Sequence, residues 1–259
     1  MGLFGIRGVL LDLSGTLYSG DHRIEGTRRT LSWLKENGIR YRFLTNTTTK
    51  PRTRILEKLR SLDVEGTEES ILTPFEAARE QLKQDGCDSV FPLVAEKVLG
   101  ELGAVEVTED SPDAVVIGDL GSDFDYEILN RAFRCLADGA RFYALARNRV
   151  FESEGNLCLD MGPFVQALEF AVRREALCLG KPSGPFFDRA LTDLGLSARE
   201  VAVVGDDLES DVLGAMDHGM KGVLVRTGKF SADLLEHSGQ KPDAVIDSIA
   251  DLPDLLAPV

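Results

Sequence analysis

The apolar run Val9-Leu10-Leu11 ends in Asp12, and Leu13-Ser14-Gly15-Thr16-Leu17 follows at once. A run this short, rich in Val, Ile and Leu, reads as a strand buried on both faces, the kind found in parallel sheets. An acid at the carboxyl end of such a strand points into the crevice where open α/β sheets bind ligands. Gly15 lets the backbone turn sharply, so that neighbouring N–H groups can face an anion. Taken alone, these residues also read as a strand running into a side-chain-capped turn. Three later segments decide between the two readings.

Strands and helices alternate along the chain. Residues 6–11 and 39–44 read as strands, and 27–36 and 51–62 as helices, the first closed by Asn37-Gly38 and the second opened by Pro51. This βαβα order is the pattern of a parallel sheet wrapped by helices. Ile71-Leu72-Thr73-Pro74 reads as a boundary. Beyond it the spacing predicts helices over 74–83, 96–102 and 126–137, and strands over 90–94, 114–117 and 142–145. Pro92 hints at an edge position. Residues 147–160 are polar and irregular and read as a loop, a length of connection that is often functional. A helix from Gly162, a strand over 176–179, then 186–194, 200–204, 210–217, 221–225, 244–246 and 249–256 continue the alternation to the end. The fold class is α/β, with residues 1–72 and 179–259 forming one core and residues 73–178 an insertion over its crevice. Phe124, Tyr126, Phe142 and Phe164 read as the core of that insertion.

Composition narrows the partners. The net charge is −14 over 259 residues, and no block of basic residues appears. Nucleic acid is excluded, because binding it relies on Lys and Arg neutralising phosphates. The same charge repels an anionic membrane. The N-terminus lacks a basic stretch followed by a long apolar one, and no apolar run approaches the roughly 20 residues that span a bilayer. These signs predict a soluble, cytoplasmic protein. Cys87, Cys135, Cys158 and Cys178 form no Cys-x-x-Cys pair and have no histidine cluster beside them, so they read as reduced, mostly buried thiols rather than a zinc site.

Polar groups gather at the strand ends: Asp12 with Ser14, Thr45 with Asn46, Lys181, and Asp206 with Asp207. In a parallel sheet all carboxyl ends share one edge, so these distant clusters converge. Asp12, Asp206, Asp207 and Asp211 would then repel one another unless something offsets them. A Mg²⁺ ion does so, held by one or two carboxylates plus waters and substrate oxygens, and Lys181 adds a second positive charge. Such a set suits phosphoryl transfer, whose transition state is stabilised by positioning and electrostatics. Asp12 would be the nucleophile, forming an aspartyl-phosphate that water hydrolyses. Each cluster also has a purely structural reading. Lys181 could lie on the surface, Thr45 to Thr48 could cap the next helix, and Asp207 or Asp211 could face a helix dipole. Lys229 reads as surface.

Asp12-Leu13-Ser14-Gly15-Thr16-Leu17, Thr45-Asn46, Gly180-Lys181-Pro182 and Gly205-Asp206-Asp207 with Asp211 resemble, in order and spacing, the four motifs of haloacid dehalogenase-superfamily phosphatases. The long insertion resembles the α/β (C2-type) cap of subfamily IIA, which holds NagD-like and 4-nitrophenylphosphatase-like proteins. The resemblance implies a Rossmann-like parallel-sheet core carrying an inserted cap. It makes Asp12 the nucleophile and a metal ligand, and Ser14 a metal ligand through its backbone carbonyl. Thr45, Asn46 and Thr47 become phosphate contacts, with Ser14 beside them. Lys181 neutralises nucleophile and phosphate, Asp206 binds the metal directly, and Asp207 with Asp211 holds the metal's waters. The substrate would be a small phosphorylated molecule and the cofactor Mg²⁺, and the resemblance allows a homodimer through the cap. Substrate-selecting residues are expected in the cap, where Arg147, Asn148 and Asp160 are candidates.

One position departs from the family pattern. Most phosphatases of the superfamily carry a second aspartate where this chain has Ser14, and that aspartate protonates the leaving group. The departure predicts a preference for good leaving groups: aryl phosphates, pyrophosphate or P–N bonds. It also keeps open a weakly active or inactive protein that binds a phosphorylated ligand or a protein partner. Dehalogenation is a distant third reading.

Overall fold

In the computed structural model, which describes residues 3–153 and 156–257, the strand Gly8–Asp12 is buried along its whole length. It pairs in parallel with Val201–Gly205 on one side and Arg40–Leu44 on the other. Lys221–Val225 and Ala244–Ile246 extend the sheet past the first neighbour, and Ile71–Leu72 past the second. Every pairing is parallel, so the carboxyl ends share one edge. The chain leaves Gly8–Asp12 toward one side of the sheet and returns later on the other. The crevice between the ends of Gly8–Asp12 and Val201–Gly205 is therefore a topological switch point, the usual place for a ligand in such sheets.

The packing follows from the sequence pattern. Val9, Leu11 and Val204 on the strands meet Leu31, Leu34 and Leu59 from the helices in one buried cluster. Burying each such side chain contributes about 2 kcal/mol. The Thr27–Glu36 helix turns Leu31 and Leu34 inward, and Asn37 ends it before Gly38, whose φ of 67° is the left-handed conformation of a helix terminus. The Thr30 hydroxyl on the same face donates to the Ile249 carbonyl at 2.9 Å.

The chain divides into two compact units. The first holds the segments up to Thr45, Thr53–Leu72 and from Lys181 onward; the second holds Asn46–Arg52 and Thr73–Gly180. Segment Asn46–Arg52 groups with the second unit through its own bonds: Arg52 ion-pairs with buried Glu76 at 2.8 Å, and the Thr48 hydroxyl accepts from the Asp119 N–H. The second unit carries a parallel sheet in the order Leu177–Cys178, Arg141–Ala144, Ala114–Ile117, Ser89–Leu93, Glu106–Val107. Helix Pro74–Gln84 opens on a capping box of Thr73 and Glu76.

Several elements differ from expectation. Residues 147–160 do not form an irregular loop: Val150–Ser153 and Asn156–Leu159 pair as an antiparallel hairpin, and residues 154–155 between them lie outside the described residues. Pro92 sits on a strand with neighbours on both sides, but pairing with Glu106–Val107 ends at Val90, so Pro92 faces a partner only across from Val116. Tyr126 is 80% exposed, at the solvent face of its helix, whereas Phe142 is buried and Phe124 stacks on Phe164. The helix over 210–217 begins as a wider turn, Leu208–Leu213, before the α-helical Gly214–Asp217. Cys87 is buried, and Cys135, Cys158 and Cys178 are partly so; all are free thiols. Among the described residues no helix is long and apolar enough to cross a membrane.

Candidate active site

Asp12 ends its strand, Asp206 follows the end of Val201–Gly205, and Lys181 lies just beyond Leu177–Cys178. Asp211 stands in the turn after Asp207, whose carboxylate accepts the N–H groups of Glu209 and Ser210 and so fixes the start of that turn. These residues meet. Lys181 Nζ lies 2.5 Å from Asp12 Oδ1 and 2.6 Å from Asp211 Oδ1, one ammonium holding two carboxylates. A carboxylate oxygen from each of Asp12, Asp206 and Asp211 lies within 4.8 Å of the others. Relative exposures are 8% for Asp12, 3% for Asp206, 1% for Asp211 and 4% for Lys181. Lys181 is therefore a buried site residue rather than a surface lysine.

The charges do not balance locally. Burial, reinforced by the other carboxylates, raises Asp12, and pushes Asp206 and Asp211 up to about 6. Burial opposes charge on Lys181, but Asp12 and Asp211 outweigh it and hold the ammonium protonated. Asp207 goes the other way. Burial would raise it, but the Ser210 N–H and the Lys229 charge hold it below the usual carboxylate range.

This donor set fits a hard divalent cation. It offers only oxygens, they converge, and they carry negative charge that Lys181 alone does not offset. The surroundings leave room for little else. A Cβ on Gly15 would fall 1.9 Å from Asp206 Oδ2, one on Gly228 2.0 Å from the same atom, and one on Gly205 2.2 Å from Asp211 Oδ2.

The other expected residues are distributed as follows. Ser14 is exposed. Thr45 is buried, its N–H donating to the Leu72 carbonyl at 3.1 Å. Asn46 and Thr47 belong to the segment that groups with the second unit. There, a Cβ on Gly180, the residue before Lys181, would fall 2.9 Å from Asn46 Oδ1. In the second unit Arg147 is committed to structure: it ion-pairs with Glu169 and donates to the Ala176 carbonyl at 3.0 Å.

One contributor was not legible as such. The N–H of Lys229, not its side chain, donates to Asp206 Oδ2 at 2.6 Å. The Lys229 ammonium is exposed and lies 3.5 Å from Asp207. Only Thr227-Gly228 beyond a strand end could have signalled a close backbone approach.

A family model described as haloacid dehalogenase-like hydrolase matches residues 9–108, and a related HAD-hydrolase-like model matches 178–252. The chain is 39% identical over 243 residues to haloacid dehalogenase-like hydrolase domain-containing protein 2 of Pongo abelii, covering 94% of this chain and 93% of that protein. It is 37% identical over 260 residues to phospholysine phosphohistidine inorganic pyrophosphate phosphatase of Bos taurus, covering 98% and 95%. The crystal structure of 4-nitrophenylphosphatase from Thermotoga maritima superposes with a TM-score of 0.90 at 28% identity, covering 97% of this chain and 98% of that one. The chain belongs to the haloacid dehalogenase-like hydrolases, in the subfamily of the NagD-like and 4-nitrophenylphosphatase-like phosphatases.

Proposed function

We propose that this protein is a Mg²⁺-dependent phosphohydrolase that works through an aspartyl-phosphate on Asp12. The observation that carries the reading is the buried bridge Asp12–Lys181–Asp211 with Asp206 against it. Relatives named as phosphatases support the reaction class.

Asp12, Asp206 and the Ser14 carbonyl, with Asp211 and Asp207 through water, would hold the cation. When bound, it offsets their charge and that of the phosphoryl oxygens, so that the anionic substrate can approach the carboxylate. An Asp12 carboxylate oxygen attacks phosphorus. The bond to the leaving oxygen or nitrogen breaks, and the leaving group keeps the electron pair. Lys181 holds Asp12 ionised and in place, and offsets charge on the transferring group. Thr45, Asn46 and Thr47 orient the phosphoryl oxygens. Water then attacks phosphorus, the bond between phosphorus and the Asp12 oxygen breaks with its electron pair returning to the carboxylate, and the proton lost by the water leaves on the released phosphate.

Ser14 shapes the substrate. A serine hydroxyl does not donate its proton near neutral pH, so the leaving group departs unassisted. Aryl phosphates, pyrophosphate and P–N compounds tolerate this better than alkyl phosphates. The second unit serves as the cap that selects among them, within residues 73–178. We place the enzyme in the cytoplasm, a reducing compartment that suits its free thiols. Its quaternary state in this proposal is a homodimer through the cap.

The test is hydrolysis of an aryl phosphate with and without Mg²⁺, with Asp12→Asn as control. Turnover that needs Mg²⁺ and falls by more than a thousandfold in the variant is expected. Activity surviving the substitution would mean different chemistry. Tight binding of a phosphorylated ligand without turnover would favour the second reading that Ser14 keeps alive, a binding protein on the same scaffold.

A further inference from the structure

We propose that residues 227–229, the loop after strand Lys221–Val225, form a clamp that positions Asp206 and the Gly15 turn for the cation. This rests on the metal reading of the acidic cluster, but adds residues to which that reading gave no part.

Several independent contacts make the clamp. The Lys229 N–H donates to Asp206 Oδ2 at 2.6 Å, so one carboxylate oxygen is tied to the backbone and the other is left for the cation. The Thr227 hydroxyl donates to the Gly15 carbonyl at 2.5 Å, which fixes the orientation of the Gly15–Thr16 peptide, one residue beyond Ser14. Between these bonds Gly228 and Gly15 lie back to back. A Cβ on Gly228 would fall 2.6 Å from Gly15 Cα, and one on Gly15 would fall 3.1 Å from Gly228 Cα. Both glycines have positive φ, 62° and 90°, so each position is strained for any other residue as well as too tight.

The contacts join the ends of strands Gly8–Asp12, Val201–Gly205 and Lys221–Val225. Asp12 ends one strand and Asp206 follows another, so their spacing depends on what joins the two turns. Loop 227–229 touches both neighbourhoods. It holds Asp206 directly and the Asp12 turn through Gly15. Groups that orient metal ligands in this way commonly change metal affinity ten- to a hundredfold when removed. Thr227, Gly228 and Lys229 are thus positioning residues. Their hydrogen bonds go to the Gly15 carbonyl, Asp206 and Asp207 rather than to Asp12.

The experiment measures Mg²⁺ affinity of the full chain by isothermal titration calorimetry without substrate, and in parallel the Mg²⁺ concentration for half-maximal aryl phosphate hydrolysis. Thr227→Val and Gly228→Ala are expected to weaken Mg²⁺ binding about ten- to a hundredfold. Each should raise the metal requirement by the same factor, with kcat at saturating Mg²⁺ changed far less. Thr227→Ser keeps the hydroxyl and should restore affinity to within about threefold of wild type. Arg226→Ala, one residue before the clamp and with its side chain toward Asp247, should behave as wild type. Should Gly228→Ala fail to fold, the Thr227→Val and Thr227→Ser pair decides alone. Wild-type affinity in folded Thr227→Val overturns the clamp and leaves the phosphohydrolase reading standing. A wild-type protein that binds no Mg²⁺ overturns both.

Discussion

Asp206 lies between a backbone amide that favours its charge and a burial that opposes it, and burial wins, moving it from 3.8 to about 6. Because the folded value lies above the unfolded one, the folded state binds this proton more tightly. That stabilisation is complete below about pH 3.8 and disappears as pH rises through about 6. Asparagine mimics the neutral form at every pH. Metal-free Asp206→Asn should therefore be about 1–3 kcal/mol more stable than wild type at pH 7.5 and equal to it at pH 4. Urea unfolding at both pH values measures this, and an equal shift at both contradicts it. Ser14 supports a second expectation. General acid catalysis is worth about 10²–10⁴-fold. Ser14→Asp should raise kcat/KM for an alkyl phosphate by about a hundredfold or more, and for 4-nitrophenyl phosphate by less than about tenfold. A common factor for both substrates would sink the leaving-group account. Asp12 and Asp206 were legible because one parallel sheet brings the carboxyl ends of Gly8–Asp12 and Val201–Gly205 together whatever their distance in sequence; Lys181 follows a strand of the other sheet and Asp211 stands in the turn after Asp207, so the strand-end rule does not account for their meeting. The Lys229 amide was not legible, since every residue but proline has one and nothing in the side chain marks it.

Elements with strong periodicity were legible from end to end. Helices Thr27–Glu36 and Tyr126–Ala137 and strands Lys221–Val225 and Ala244–Ile246 occupy the residues their pattern predicts. The hairpin of Val150–Ser153 and Asn156–Leu159 was not, because its apolar Val150, Phe151 and Leu159 stay exposed instead of marking a buried stripe. The turn Leu208–Leu213 was hidden for another reason. Asp207 caps it and Asp211 leaves it to reach Lys181, so side-chain bonds rather than propensity set its pitch. Arg147 illustrates the limit of reading function from exposure on a polar stretch. Its partner Glu169, buried on helix Gly162–Val172, also accepts the Ala176 N–H at 2.7 Å, tying that helix to the chain entering strand Leu177–Cys178. Glu169→Ala would leave the buried Ala176 amide without its acceptor and the Arg147 guanidinium with only the Ala176 carbonyl. It should cost about 1–3 kcal/mol in chemical denaturation. A loss below about 0.5 kcal/mol would show that water replaces the carboxylate.

Over the whole molecule, the surface is acidic, with a net charge of −14, yet large apolar side chains stay exposed on the hairpin of the second unit. Val150 and Leu159 are directly paired and therefore share one face, where they are 45% and 64% exposed. Phe151 lies on the opposite face and is 42% exposed. An isolated two-stranded ribbon is marginal in water at best, and this one shows apolar groups to solvent on both sides. A second copy of the chain would bury them, which supports the proposed homodimer. Stable interfaces bury about 1,200–2,000 Å² in total, so the hairpin would be the centre of the contact rather than all of it. A charge at such a centre is costly, because it must be desolvated without a partner. In sedimentation equilibrium the wild-type protein should have twice the chain mass at micromolar concentration, and Phe151→Asp should weaken association by at least about a hundredfold. The variant should keep its helical circular dichroism, since the residue it alters is exposed and outside the core of either sheet. A wild-type protein that stays monomeric at a hundred micromolar, or a variant that associates as tightly as wild type, would rule out this surface as the interface.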